Sequence, residues 1–325
     1  MSLFLESNIY FSQPLISQSR ITVESNFLNP NVKFRKNIIR QKYDVCIVLV
    51  IHQGRDMVNW YVKNIQRFCG QNKILCVIHY NNNEFIDEHE LPNNFWIARK
   101  RLKTVKFTQM IFMAFLQAIY FAHQNFSFTN YLLLSSSSGL FKSLPDMTKP
   151  MVAQNSHEGK FLNKDVEERT IHLNPINGKY IGNIDNYLRR TKSKRLDVYK
   201  KVDKDINFIK NFKKRKFKYF KVNQITGNVF PKPVGRLLLL DFYNKFQNIV
   251  GDYQSDEVYF STYAYNWAIT HNLTVQDSFT IINWHDDIKI NMNDIEHLNT
   301  LYEINGYATY RLSNDVLSEM RKYLI

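Results

Sequence analysis

Val45-Cys46-Ile47-Val48-Leu49-Val50-Ile51, closed by His52-Gln53-Gly54, sets the fold class. The run is apolar throughout, with no polar residue at alternate positions. Such a strand is covered on both faces, as in a parallel sheet flanked by helices. The turn leads into Asp56–Phe68, where Val58, Tyr61, Ile65 and Phe68 recur at helical spacing. Ile74-Leu75-Cys76-Val77-Ile78 then repeats the buried-strand pattern. Strand, helix and strand in that order open a Rossmann-type sheet. The predicted class is α/β, a sandwich around a mainly parallel central sheet.

Downstream, an Asn/Glu/Asp-rich loop spans Asn81–Asn94 and Phe95–Ala98 reads as a third strand. Thr108–Gln124 reads as a helix that is apolar almost all round, so a cover on both sides is expected. Tyr131-Leu132-Leu133-Leu134 is a further strand that runs into Ser135-Ser136-Ser137-Ser138-Gly139. Val234–Leu240 reads as a strand followed by a helix over Asp241–Val250, and Asn314–Leu324 as a last helix. Open parallel sheets bind ligands beyond the carboxyl ends of their strands. The loops after Ile51, Ile78 and Leu134 are therefore the expected site. The predicted organisation is an N-terminal extension over 1–40 and one domain over 41–325, with a basic, partly helical insertion at about 150–230.

The chain has 325 residues and a net charge of +14, which calls for an anionic partner. Its three cysteines form no disulfide framework, and Cys46 and Cys76 sit in core-strand runs. The N-terminus lacks a basic flank followed by a long apolar run, so no signal peptide is expected. The apolar stretch Met110–Ala122 is shorter than the ~20 residues of a membrane span. No P-loop, Gly-x-Gly-x-x-Gly or zinc spacing occurs. Between Arg189 and Lys218 stand 14 Lys or Arg, interleaved with aromatic residues. That run reads as a solvated face, as an anionic-membrane contact, or as a surface for single-stranded nucleic acid.

Gln254-Ser255-Asp256-Glu257-Val258-Tyr259 carries the sharpest chemical signal. Ser255 is a good N-cap, and acids in a first helical turn favour the positive end of the helix dipole. The same carboxylates, with Trp284 downstream, also suit sugar transfer. One takes a proton from a hydroxyl, and a flat ring holds a sugar face.

The order of these features resembles the core-2/I-branching β-1,6-N-acetylglucosaminyltransferases and peptide O-xylosyltransferases. Four segments carry the likeness: Ile47–Tyr80; Phe95-Trp96-Ile97-Ala98 with the long apolar helix; Asn130–Ser143; and Ser255-Asp256-Glu257 with Trp284. Together they cover roughly 43–145 and 234–320. The chain departs from the family pattern at Asn81 and Ser138, where Asp is usual. It departs again at Leu140, where Pro is usual, and at Lys106-Phe107, where a Trp-Gly pair is common.

The resemblance implies a GT-A-like fold and an inverting transfer from a nucleotide sugar, with UDP as the leading carrier, to a hydroxyl of a glycan or lipid-linked glycan. It makes Glu257 the catalytic base and gives Trp284 and Asp256 to the acceptor site. Arg311, with Lys322 or Arg321 as substitutes, neutralises the leaving diphosphate, so no metal or other cofactor is expected. Asp203-Lys204-Asp205 has a metal-binding spacing but follows no strand. His52, Asn81, Ser135 and Ser136 are the expected donor-site residues. A cytoplasmic enzyme of microbial surface polysaccharide or lipopolysaccharide synthesis follows, peripheral on the inner membrane face through 189–218. The other reading is a non-enzymatic single-stranded nucleic-acid-binding protein using 187–221. It explains neither Glu257 nor the Ser turn, so nucleic acid is the disfavoured partner. A transferase using a CMP-linked acid sugar, with a different base, is a third reading.

Overall fold

The computed structural model describes residues 28–38, 41–102, 109–136, 138–140, 142–154, 181–183, 215–217, 219–221, 227–242, 255–277, 280–282 and 308–310. In chain order the strands are β1 (Val32–Lys33), β2 (Lys42–Ile51), β3 (Ile74–Tyr80), β4 (Ile86–Asp87), β5 (Phe95–Ile97), β6 (Ser127–Ser135) and β7 (Ser138–Leu140). They continue with β8 (Val152–Gln154), β9 (Ile181–Asn183), β10 (Tyr219–Lys221), β11 (Val229–Pro231), β12 (Val275–Asp277), β13 (Thr280–Ile282) and β14 (Ala308–Tyr310). The α-helices are α1 (Arg55–Phe68), α2 (Gln109–Asn125), α3 (Lys232–Phe242) and α4 (Ser255–Thr270).

Among the described residues the central sheet has seven strands in the order β12-β8-β11-β6-β2-β3-β5. Strand β2 is parallel to β3 and β6, β3 to β5, and β8 to β12. Strand β11 is antiparallel to both its neighbours, β6 and β8. The result is a mixed α/β fold with a mostly parallel sheet. The apolar run of β2 alternates between two cores. Val45, Ile47, Leu49 and Ile51 face α1, whereas Cys46, Val48 and Val50 belong to the cluster that holds α2, α3 and α4. This is why β2 shows no polar alternation: both pleat faces are dry.

Helix α2 sits between the sheet and the α3–α4 pair, and the expectation of a doubly covered helix is met. Phe112 makes ring contacts with Phe242, Tyr259 and Phe260, at centroid distances of 5.6, 5.1 and 5.0 Å. Cys46 and Cys76 are fully buried, as expected.

One expected element changes type. Val234–Leu240 is not a strand but the body of α3, and of the helix expected over Asp241–Val250, residues 243–250 lie outside the described residues. A continuous apolar run fits either element. Here Pro233 stands in the first turn, where its missing N–H costs nothing. Val234, Leu238, Leu239 and Phe242 are buried at helical spacing, while Leu240 is exposed. Gly235 permits the helix to lie against the sheet, since a Cβ there would come within 2.4 Å of the Tyr131 ring.

The loop 81–94 is also more ordered than its polar composition suggests. It contains β4 and a 3₁₀ turn, Glu88–Glu90, and β1 pairs with β4 in parallel. Residues 28–38, part of the expected N-terminal extension, are tied to this region. The Asn29 side chain donates to the Tyr80 carbonyl (3.0 Å), and Arg35 N donates to the fully buried Glu88 carboxylate (2.7 Å). Strands β8 and β11 bring the two ends of the 150–230 stretch into the central sheet. Within the basic run, Arg215 pairs with Asp241 and Phe217 packs edge-on against Tyr263 at 4.9 Å. No helix among the described residues is long and apolar enough to cross a membrane.

Candidate functional site

The carboxyl ends of β2, β3 and β6 lie side by side because these strands are sheet neighbours running the same way. His52 follows β2, Asn81 follows β3, and Ser135 and Ser136 close β6. The structure brings these four expected residues to one edge. Ser136 Oγ lies 3.1 Å from His52 Nδ1, so one hydroxyl bridges the loops after β6 and β2. Asn82 Nδ2 donates to the His52 carbonyl (2.9 Å), which ties the loop after β3 to the same histidine. Desolvation lowers the His52 pKa from its ordinary value, so the imidazole is neutral at pH 7. With Nδ1 engaged, Nε2 is left for solvent or a ligand.

The Ser turn has a structural duty as well. Ser135 Oγ and Ser138 Oγ are 3.0 Å apart, and the Tyr61 hydroxyl reaches the carbonyls of both residues. Asn64 on α1 exchanges two hydrogen bonds with Leu140, through its N–H (2.9 Å) and its carbonyl (2.8 Å). Gly139 lies against Trp60, whose Cη2 would be 2.8 Å from an added Cβ. The turn is thus clamped onto α1, and Ser136, almost fully buried, is the member that reaches the edge.

The N-terminus of α1 is filled from within the chain. Arg55 N donates to Glu84 Oε2 at 2.7 Å, and that carboxylate occupies the space a Cβ at Gly54 would take. The helix end that would otherwise attract a phosphate already holds an anion.

Helix α4 reaches the same edge from the other side. Gln154, the last residue of β8, donates through Nε2 to the Ser261 carbonyl at 2.9 Å. Residues 271–274 connect α4 to the start of β12, so its C-terminal end lies at the opposite edge of the sheet. The first turn of α4, with Asp256 and Glu257, therefore rises above the carboxyl edge. Glu257 stands four residues, about 6 Å along the axis, beyond Ser261. The side chains of Asp256 and Glu257, and all of Trp284 and Arg311, lie outside the described residues. The strands that precede the latter two, β13 and β14, form a small sheet with β7, in which Tyr310 stands opposite Ser138.

Residues not expected from the sequence complete the edge. Arg101, beyond β5, donates from Nε to Asn81 Oδ1 (3.1 Å) and from Nη2 to Asn83 Oδ1 (2.8 Å). The signal for it was the rule already applied to the other strands, since it too lies past the carboxyl end of a parallel strand. Beneath it, His79 is fully buried and accepts from Leu102 N at Nε2 (3.2 Å), which places its proton on Nδ1. Burial first, and the Arg101 charge beside it, push its pKa down to about 4. Among the described residues no three His, Cys, Asp or Glu side chains are grouped to hold a metal ion.

His79 makes stability depend on acid. Its folded-state pKa is below the ordinary 6.5, so the unfolded chain binds the proton first as pH falls. The contribution is intact above pH 6.5 and lost on the way down to about pH 4, a change of about 3 kcal/mol. Urea unfolding at pH 7, 5.5 and 4 should show that loss, and His79→Gln should flatten it. Equal acid sensitivity in the variant would assign the loss to other groups. No protein-family model matches this chain, and no curated protein matches it.

Proposed function

We propose that the protein is an inverting glycosyltransferase that binds a nucleotide sugar along the carboxyl edge of its sheet. The observation that carries this reading is the convergence of His52, Ser136, Asn81 and Asn82 at that edge, with the first turn of α4 rising over it. The four-segment resemblance to the core-2/I-branching family points the same way. So does the mostly parallel sheet with one reversed strand, which suits a GT-A-type fold.

In this reading an acceptor hydroxyl attacks the anomeric carbon while the bond to the nucleoside diphosphate breaks on the opposite face. Glu257 takes the hydroxyl proton as it attacks. The diphosphate leaves with its electron pair, and Arg311, one residue past β14, stabilises that charge without a metal. Trp284 and Asp256 serve the acceptor. His52 and Ser136 hold the donor at the middle of the edge, while Ser135 holds the turn. The basic stretch 189–218 gives contact with an anionic membrane on its cytoplasmic side, where a lipid-linked acceptor is available.

The test is thermal unfolding with UDP-, GDP-, CMP- and dTDP-sugars, each with EDTA and with Mn²⁺. A donor at 100 times its Kd adds about 2.7 kcal/mol, a readily measured melting shift. The reading requires a shift with one carrier that EDTA leaves unchanged. A shift that needs Mn²⁺ removes the metal-independent mechanism. No shift with any donor removes the donor site.

A further inference from the structure

The edge has a direction, and Arg101 stands at one end of it. The residues that follow β6, β2, β3 and β5 span three strand spacings, about 14 Å in all. That span suits a ligand of nucleotide size rather than a lone phosphate. The first turn of α4 stands over the β8 side, so the transferred sugar belongs at that end. Ser136 and His52 lie in between. The nucleoside base then falls at the β3–β5 end, beside Arg101. This step rests on the donor site proposed above.

Arg101 is equipped for one kind of base edge. A guanidinium has five N–H donors and no acceptor. Two of them are fixed by the oxygens of Asn81 and Asn83, which orient the plane. The other three have no partner among the described residues, and the side chain is partly exposed. Its holders are neutral amides, whereas Arg99 pairs with Glu88, Arg55 with Glu90 and Arg215 with Asp241. Of the loop's carboxylates, Glu84 is next to Asn83 in the chain, and its Oε2 is engaged by Arg55 N. A fixed, donor-only fork meets a carbonyl oxygen well and an amino group badly, because the latter leaves N–H facing N–H.

We infer that Arg101 reads the base of the donor nucleotide and selects a 4-oxo pyrimidine, or the corresponding 6-oxo purine, over its amino counterpart. Asn81 and Asn83 are its positioning residues. The experiment is calorimetric titration of the full chain with UDP against CDP and IDP against ADP, each pair exchanging an exocyclic oxo for an amino group, with the adjoining ring nitrogen changing from donor to acceptor. In whichever pair binds, the oxo member should bind tighter by roughly 5- to 150-fold. Arg101→Met should bring that ratio close to one, mainly by weakening the oxo nucleotide. Arg101→Lys, which keeps the charge without the fork, should lose most of the ratio, and so should Asn83→Ala. Equal affinities within a pair, or an Arg101→Met variant that weakens both members alike, would overturn this inference and leave the donor site standing. Failure of all four nucleotides to bind the wild-type protein would overturn both.

Discussion

Glu257→Gln should lower the transfer rate roughly 10²–10⁴-fold, the usual contribution of a positioned general base. An amide has nearly the shape of the carboxylate but cannot accept the acceptor's proton. Donor binding should be unchanged, because the proton is taken only as the bond to the acceptor forms. The variant should also fold normally. Loss of one acid from the first turn of α4 costs at most about 1 kcal/mol through the helix dipole. Measuring turnover, donor Kd and melting temperature on one preparation separates these effects. Transfer within about tenfold of wild type would remove Glu257 from the mechanism. A rate loss matched by a collapse in melting temperature would make it a structural acid at a helix start.

The largest stability effect is expected at a residue far from that chemistry. Glu88 is fully buried, and its carboxylate is satisfied by Arg35 N (2.7 Å), Ile97 N (2.7 Å) and the Arg99 guanidinium (2.9 Å). The guanidinium of Arg35 lies over the Trp96 ring at 4.2 Å and that of Arg99 over Phe34 at 4.4 Å, so both cations are sheltered. Glu88→Leu leaves two backbone N–H groups and a sheltered cation without their acceptor. Breaking one side of such a buried pair costs about 3–5 kcal/mol. Urea unfolding should show this loss, and limited proteolysis should cut first within residues 28–38, which lose their anchor to β5. Adding Arg99→Met should recover part of the loss by removing the stranded charge, but not the part owed to the N–H groups. A loss below about 1 kcal/mol would mean that water satisfies the site.

These residues also show what can be read from a sequence. Val45–Ile51 and Ile74–Ile78 were legible because a strand covered on both faces leaves a continuous apolar run, a pattern local to the strand. His52, Asn81 and Ser136 followed from one topological rule, since strand ends in a parallel sheet share an edge. The 3.1 Å approach of Ser136 to His52 joins residues 84 positions apart, and no local pattern records it. Val234–Leu240 was misread as a strand on the same ground that made β2 clear, because an apolar run does not reveal which element buries it. Glu88 was hidden by its setting. It stands in a polar stretch that composition assigns to solvent, and its burial depends on Arg35 and Arg99, which arrive from two other segments. Arg101 stood where the strand-end rule applied, but the amides that orient it come from the loop after β3. Trp284 and Arg311 remain assignments from resemblance.

Hydrogen exchange, with and without the nucleotide sugar that raises the melting temperature, would locate the donor. Binding at the carboxyl edge predicts slowed exchange in residues 52–54, 81–83 and 135–138 and in the first turn of α4. The opposite face of the sheet should show no local change. Protection confined to 189–218, or to any surface away from that edge, would contradict the site proposed for this chain.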